Sequence, residues 1–298
     1  MKIALVFPVF NGLHYTQKCL DAVFSQLSSI NSSTAIFEVV VVDDGSTDGS
    51  NDWIRMNFPQ VHLLEGNGNL WWSGGINKAV EYGLYTLNTD YFLWWNNDII
   101  PEKNYFFNLA SLLKHHEPDT IIGSKILLAH QPDTIWSMGG LFDARTGFKN
   151  MIGAHQKDND SFNKIVSCDW LTGMGTVTHS SVYRKIGFID NKRFPQYHGD
   201  SDFTFRAKKA GYSIIVDPSL VIYNDTRNSG LRHDERFSRL FKSLFSIRSN
   251  YNLKKDFLFY RKHAVSPRAF LIPLTKYIKY IGGFFKWKFL GLFGVKKV

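Results

Sequence analysis

Short runs of apolar, largely β-branched residues recur along the first half of the chain, at residues 2–7 (KIALVF), 37–42 (FEVVVV) and 91–95 (YFLWW). Each of the first two leads into a turn and then into helically spaced apolar positions, so the pattern predicts strands alternating with helices. The runs are apolar almost throughout, which suits strands of a parallel sheet covered on both faces. Helices are expected at Trp53–Phe58 and Ile76–Leu87, with Ser73 as the N-cap of the second. Trp94 and Trp95 are neighbours on a strand and must point to opposite faces, so both are expected in the core.

Beyond residue 120 the pattern is mixed. Strands are expected at 121–128 (IIGSKILL) and 213–216 (SIIV), and short helices at 180–186 and 202–210, the second closed by Gly211. Residues 135–152 are rich in glycine and turn formers, and Lys157–Ser161 reads as a polar loop. From Phe237 the spacing changes again. Phe237, Leu240, Phe241, Leu244 and Phe245 make an apolar helical stripe, and residues 270–293 mix aromatic and aliphatic residues with lysines. The sequence therefore divides into an α/β unit at 1–236 and a helical region at 237–298.

Charge sharpens that division. The net charge is +9, but residues 237–298 hold 14 Lys and Arg against the single acid Asp256. The first 236 residues hold 21 basic and 25 acidic residues and are mildly acidic. A basic, aromatic helical end suits an anionic membrane surface, packing on the α/β unit, or a dimer contact. No nucleic-acid recognition motif accompanies the charge, so a nucleic-acid partner is not expected. The apolar start reads as a first strand and not as a signal peptide, because Pro8 and Asn11-Gly12 interrupt it. No apolar run reaches the roughly 18 residues of a membrane span. Cys19 and Cys168 make no scaffold or metal-spaced cluster and are expected as buried thiols in a reducing compartment.

Open parallel sheets bind ligands beyond the carboxyl ends of their strands. Three polar clusters fall there: Phe10-Asn11, Asp43-Asp44-Gly45-Ser46 and Asn96-Asn97-Asp98. Any one of them is an ordinary turn or cap. Three on one sheet edge point to a ligand site.

In order and wording these clusters resemble the family 2 glycosyltransferases. The matching elements are Phe7-Pro8-Val9-Phe10-Asn11, Val42-Asp43-Asp44-Gly45-Ser46-Thr47-Asp48-Gly49-Ser50, the stretch from Asn67-Gly68 to Asn77, Asn96-Asn97-Asp98, Trp170-Leu171-Thr172-Gly173-Met174-Gly175 and Gly199-Asp200-Ser201-Asp202-Phe203. The resemblance extends over roughly residues 1–230 and is similar in feel to bacterial polysaccharide enzymes, rhamnosyltransferases among them. It implies a GT-A fold, a Rossmann-like, mostly parallel central sheet flanked by helices, continued here by the basic helical extension. It also implies a nucleoside-diphosphate sugar as donor (dTDP-, UDP- or GDP-linked), a glycan or lipid-linked acceptor, and inverting transfer in the synthesis of cell-surface polysaccharide such as O-antigen or capsule. The location implied is cytoplasmic, peripheral on the inner face of the membrane.

On that reading the donor nucleotide is held by Pro8, Phe10, Asn11, Asp43, Asp44, Gly68, Asn77, Asn96 and Asn97. The carboxylates accept from base or ribose donors, and Phe10 lies against the base. Asn96-Asn97-Asp98 stands at the family's DxD position, so Asp98 is the expected carboxylate for a divalent cation, Mg2+ or Mn2+, which neutralises the departing diphosphate. Asp200 stands at the position of the base that takes the acceptor's proton, with Asp202 and then His198 as alternatives and helix capping as the competing role for Asp200. Trp170, Thr172, Gly173 and His198 fall on the acceptor side, where Trp170 either stacks on a sugar or packs.

The sequence departs from the family at two places. Gly199 replaces the usual Glu before the base, and Asn224 stands near the position of a metal-ligating His, so Asn224 or Asp225 would ligate through oxygen. These departures keep a degenerate, non-catalytic sugar-binding scaffold in view. A sugar nucleotidyltransferase is the other alternative, but the Gly-rich Arg/Lys loop such enzymes carry after strand one is replaced here by Phe10-Asn11-Gly12-Leu13-His14.

Overall fold

The computed structural model describes residues 1–31, 33–226 and 237–292. The chain alternates as the apolar pattern requires: β1 (Lys2–Val9), α1 (Leu13–Leu27), β2 (Ile36–Asp43), α2 (Ser50–Asn57), β3 (His62–Glu65), α3 (Trp71–Tyr82) and β4 (Tyr91–Trp94). Next come β5 (Ile99–Pro101), α4 (Tyr105–Leu112), β6 (Thr120–Leu128), β7 (Gln131–Ser137), β8 (Gly140–Phe142), β9 (Lys149–Met151), β10 (Val166–Ser167), β11 (Thr176–His179), α5 (Ser180–Ile186), α6 (Gly199–Lys209) and β12 (Ser213–Asn224). The last helices are α7 (Phe237–Phe245), α8 (Leu253–His263) and α9 (Leu271–Leu292).

One ten-stranded sheet runs in the order β10-β12-β6-β11-β4-β1-β2-β3, with β5 beside β12 and β7 beside β6. Strands β3, β2, β1 and β4 are parallel, and so are β6 and β12. Strand β11 runs antiparallel between those two blocks. The register aligns Val9 with Asp43 and Val6 with Trp94, so the three polar clusters of the sequence do emerge together at one edge.

Both faces of the sheet are covered. Trp95 lies in the core on the α1 and α4 side and Trp94 in the core on the α3 and α6 side, and neither ring touches solvent. Each such side chain contributes about 1.5–3 kcal/mol through removal from water. Cys19 and Cys168 are buried free thiols, as expected.

Three local expectations change. Ser73 is not an N-cap: α3 begins earlier, at Trp71, and Ser73 Oγ donates to Phe194 O at 2.6 Å. The turn-rich stretch 135–152 contains the β8–β9 hairpin. The expected stripe on α7 divides. Leu240 and Leu244 pack against Tyr277 and Phe284 of α9, whereas Phe241 and Phe245 are 63% and 62% exposed. The boundary expected at residue 236 lies outside the described residues. The C-terminal helices pack onto the α/β unit: Phe259 and Tyr260 of α8 join Phe142, Trp170, Phe194 and Phe205 in one cluster. Among the described residues no helix is long and apolar enough to cross a membrane.

Candidate functional site

The edge above β1 and β2 is built by backbone hydrogen bonds to short polar side chains. Asn11, with φ of 49°, receives Thr47 N on its Oδ1 at 2.8 Å and donates its own N–H to Ser46 Oγ at 3.0 Å. Asp43 Oδ1 accepts from Ser46 N at 2.8 Å, and its other oxygen has no partner among the described residues. Asp44 is different. Its Oδ1 accepts from Gly68 N at 2.8 Å, and its Oδ2 accepts from Leu70 N at 2.9 Å and Trp71 N at 3.0 Å. Asp44 thus caps α3 from a neighbouring strand, satisfying amides that a helix start leaves unpaired. Asp44, expected to read the nucleoside, holds the 68–71 loop with both of its oxygens. Asn77 is likewise engaged, because its amide bridges both backbone groups of Ile189, at 2.8 and 3.0 Å. Pro8 packs beneath α3, where a Cβ on Gly75 would lie 2.5 Å from the Pro8 ring. Phe10 remains 47% exposed at the rim.

Above β4 the three polar residues take separate tasks. Asn97 Nδ2 donates to Thr16 Oγ1 at 3.0 Å and ties the loop to α1. Asn96 Oδ1 accepts from Trp72 Nε1 at 2.8 Å. Asp98 Oδ1 is buried and has no hydrogen-bond partner among the described residues, and the same holds for Asn224 Oδ1 at the end of β12. Across the β5–β12 pairing Asn224 faces Ile99, and Asp225 N donates to Asp98 O at 3.1 Å. Burial first, and the neighbouring Asp225 charge besides, push the Asp98 carboxyl up to about 6. Buried polar atoms are ordinarily satisfied, so each of these unpaired oxygens is one that a cation or donor would satisfy. Oxygen atoms of this type suit a hard divalent ion. Among the described residues no three His, Cys, Asp or Glu side chains converge on one point.

Trp72 joins this edge to the second carboxylate. Its indole donates to Asn96, and its ring lies so close to Gly173 that a Cβ there would sit 2.1 Å from Trp72 Cζ2. Gly173 N in turn donates to Asp200 Oδ2 at 2.9 Å. Asn96 and Asp200 are therefore linked through one indole, by way of Gly173. Asp200 Oδ1 accepts from its neighbour Ser201 N at 2.7 Å, in the first turn of α6. Burial raises the Asp200 carboxyl above its ordinary range, and the opposed Lys149 charge limits the rise. Each of its oxygens keeps a lone pair that can take a proton.

The alternatives to Asp200 are otherwise engaged. Asp202 is fully buried and ion-paired with Arg206 at 3.0 Å, Lys262 at 2.7 Å and His263 at 2.7 Å. Burial alone would raise it, but His263 and Lys262 hold it down at about 2. It anchors α8 to α6 through these pairs, a structural role for the residue expected as second candidate base. His198 shares a hydrogen bond with Asp256 Oδ1 (2.8 Å), lies 3.3 Å from Lys149 Nζ and stacks on Phe259. Burial first, then Lys149, lower it to about 4, so it is neutral near pH 7 and part of the wall. Of the two roles open to Trp170, its surroundings favour packing: it is 7% exposed, its Nε1 donates to Leu141 O at 3.3 Å, and Lys149 Nζ sits 4.3 Å over its ring. Thr172 is buried, and its carbonyl accepts from Thr176 Oγ1 at 2.7 Å.

Lys149 carries no site signal in the sequence. It sits in the turn-rich stretch, yet its Nζ donates to Ser201 Oγ at 2.9 Å behind Asp200, and burial lowers it to about 8. Asp256, in sequence only the one acid of the basic end, supports His198 from behind and also accepts from Tyr277 of α9 at 2.8 Å.

Residues 4–173 match the family described as Glycosyl transferase family 2. The low-salt glycan biosynthesis hexosyltransferase of Haloferax volcanii is 24% identical over 233 residues, covering 69% of this chain and 70% of that one. Glycosyltransferase GlyA of Streptococcus pneumoniae is 27% identical over 127 residues, 41% of this chain. The match spans only 16% of GlyA's length. Among solved structures, S. aureus TarS 1–349 in complex with UDP superposes with a TM-score of 0.53 at 16% identity, covering 76% of this chain and 60% of that one. The mannosyltransferase PcManGT from Pyrobaculum calidifontis, in complex with GDP-Man and Mn2+, gives 0.54 at 16% identity, covering 93% and 68%. These are the GT-A neighbours that the sequence implied. With more than half of its length matched, the chain belongs to glycosyl transferase family 2.

Proposed function

We propose that this chain is a glycosyltransferase that uses a nucleoside-diphosphate sugar and a divalent cation, Mg2+ or Mn2+, to glycosylate a hydroxyl of a glycan or lipid-linked acceptor with inversion at the anomeric carbon. The observation that carries the reading is the chain of contacts from Asn96 through Trp72 and Gly173 to the Asp200 carboxylate, with the buried Asp98 oxygen, unpaired among the described residues, in the same loop as Asn96. Asp43 and Phe10 frame the nucleoside, with Asn11 and Gly68 shaping the loops around it. Asp98 and Asn224 hold the cation, which when bound neutralises charge on the departing diphosphate. Asp200 removes the proton from the acceptor hydroxyl, whose oxygen then attacks from the face opposite the leaving group. TarS with UDP and PcManGT with GDP-Man and Mn2+ support a nucleotide-bound donor and a cation.

The sugar is sought among dTDP-, UDP- and GDP-linked donors, dTDP-rhamnose included, in keeping with a role in cell-surface polysaccharide synthesis such as O-antigen or capsule. Purified protein is incubated with this panel and Mn2+ or Mg2+. The expected outcome is release of nucleoside diphosphate from at least one donor, abolished by EDTA and restored by the cation. Release unaffected by EDTA would remove the cation from the scheme, and no release from any donor would remove the donor reading.

The basic end supports a place on an anionic membrane surface at the cytoplasmic face. Phe241, Phe245, Ile278 and Phe289 are each 60–63% exposed on α7 and α9, beside the lysines of a strongly cationic region. Exposed aromatics insert at the headgroup boundary, while each basic residue adds about 1 kcal/mol. Flotation with liposomes containing anionic lipid is expected to carry the full chain. The double change Phe241→Ser and Phe245→Ser should cut the floated fraction severalfold without lowering the unfolding temperature, since neither ring is buried. Equal flotation of both proteins would rule out this face as the contact.

A further inference from the structure

The donor edge has a constituent that comes from the C-terminal helical region. Arg248 lies between α7 and α8, and its guanidinium carbon sits 6.0 Å from the centre of the Phe10 ring and 5.5 Å from that of Trp71. Phe10 follows β1 and Trp71 opens α3, so the arginine spans the rim where a strand end and a helix start offer aromatic faces. Among the described residues no carboxylate pairs with Arg248.

The arrangement is held in place from both sides. Trp71 has φ of 57°, a left-handed conformation that is an outlier for a bulky residue, and Asp44 Oδ2 fixes it through the Trp71 amide. The segment carrying Arg248 is tied down as well. Tyr197 OH donates to Arg248 O at 3.4 Å, and Lys255 Nζ donates to Ser249 O at 2.6 Å. Asn252 caps α8 through Lys255 N at 3.0 Å while its Nδ2 donates to Phe245 O and Ser246 O, at 2.9 and 3.0 Å. A fixed, unpaired guanidinium beside two aromatic faces suits a ligand that joins a flat ring to a polyanion. Arginine's planar fork matches phosphate oxygens.

We propose that Arg248 is a donor-binding residue: it contacts the diphosphate of the nucleotide sugar while Phe10 and Trp71 take the base, so that the C-terminal region completes the nucleotide site. This rests on the nucleotide-donor reading above. It also gives the close packing of the basic end on the α/β unit a role in recognition, distinct from any membrane contact.

The test is calorimetric titration of the full chain with UDP, GDP and dTDP in Mn2+. The variants are Arg248→Ala, Arg248→Gln and, as a control cation on the exposed side of α7, Lys242→Ala. Gln keeps a planar head over the rings but not the charge. Expected are a loss of at least tenfold in affinity for both Arg248 variants and no change for Lys242→Ala. A loss under tenfold in Arg248→Ala, or wild-type affinity in Arg248→Gln, would overturn the proposal while leaving nucleotide binding intact. Failure of the wild-type chain to bind any of the three diphosphates would overturn the donor reading itself.

Discussion

Asp200→Asn is expected to lower the turnover of sugar transfer by about 10²–10⁴-fold, the range for loss of a positioned general base. The change is nearly isosteric, and Asp200 lies across Trp72 from the donor edge, so donor affinity should stay within a few fold of wild type. Asn cannot accept from both Gly173 N and Ser201 N, which costs about 1 kcal/mol of local order. A loss confined to that effect would be tenfold or less. The pH dependence offers a second readout. Burial raises the Asp200 carboxyl, so the ionised, proton-accepting form is lost as pH falls through a value above the usual aspartate range near 4. With donor and cation saturating, Asp98 is held ionised by its ligand, and the acid limb of kcat reports Asp200. That limb should vanish in the Asn variant. Turnover within tenfold of wild type, with the acid limb intact, would take the base role away from Asp200.

Asp202→Asn is expected to act on stability. Asp202 is fully buried among Arg206, Lys262 and His263, and removing one partner of a buried ion pair costs about 3–5 kcal/mol. The carboxyl is depressed from 3.8 to about 2 in the folded chain. A depressed carboxylate stabilises the fold above its unfolded pKa, and the contribution disappears as pH falls through the folded value. About 2–3 kcal/mol of wild-type stability should therefore be present above about pH 5 and lost between about pH 4 and pH 2. The variant should lack that acid-sensitive component. Denaturant unfolding across this pH range measures it. If Asp202→Asn unfolded like wild type but failed to transfer sugar, the roles of the two aspartates would have to be exchanged.

The two aspartates show what sequence conveys and what it leaves out. Strand β1, the Trp94–Trp95 core pair and the three polar clusters are legible because apolar run length and strand periodicity depend on local residues alone. Asp200 and Asp202 stand two apart in one motif, and nothing local separates them. Only the third dimension places Lys262 and His263, sixty residues later, against one of them. Asp44 and Asn77 look like ligand contacts in sequence for the same reason. Polar residues at a strand end or in a helix can serve a ligand or hold a loop, and the distant backbone of Gly68 or Ile189 decides which. Lys149 and Arg248 carry no signal, since each acts from a segment far in sequence from the edge it reaches. Ser73 has the residue type of a cap, but Asp44, from another strand, performs the capping.

Nucleoside diphosphate release by Asp98→Ala, measured against Mn2+ concentration with the best donor of the panel, probes the centre of the proposed chemistry. Asp98 supplies the one carboxylate of the proposed cation site, through an oxygen unpaired among the described residues, and a cation gripped by Asn224 and phosphates alone would be bound far more weakly. Expected is a release rate at least about a hundredfold below wild type, on the order of what loss of a principal electrostatic stabiliser costs, that climbs only at much higher Mn2+. Wild-type release with an unchanged Mn2+ dependence would contradict the assignment of the cation to this site.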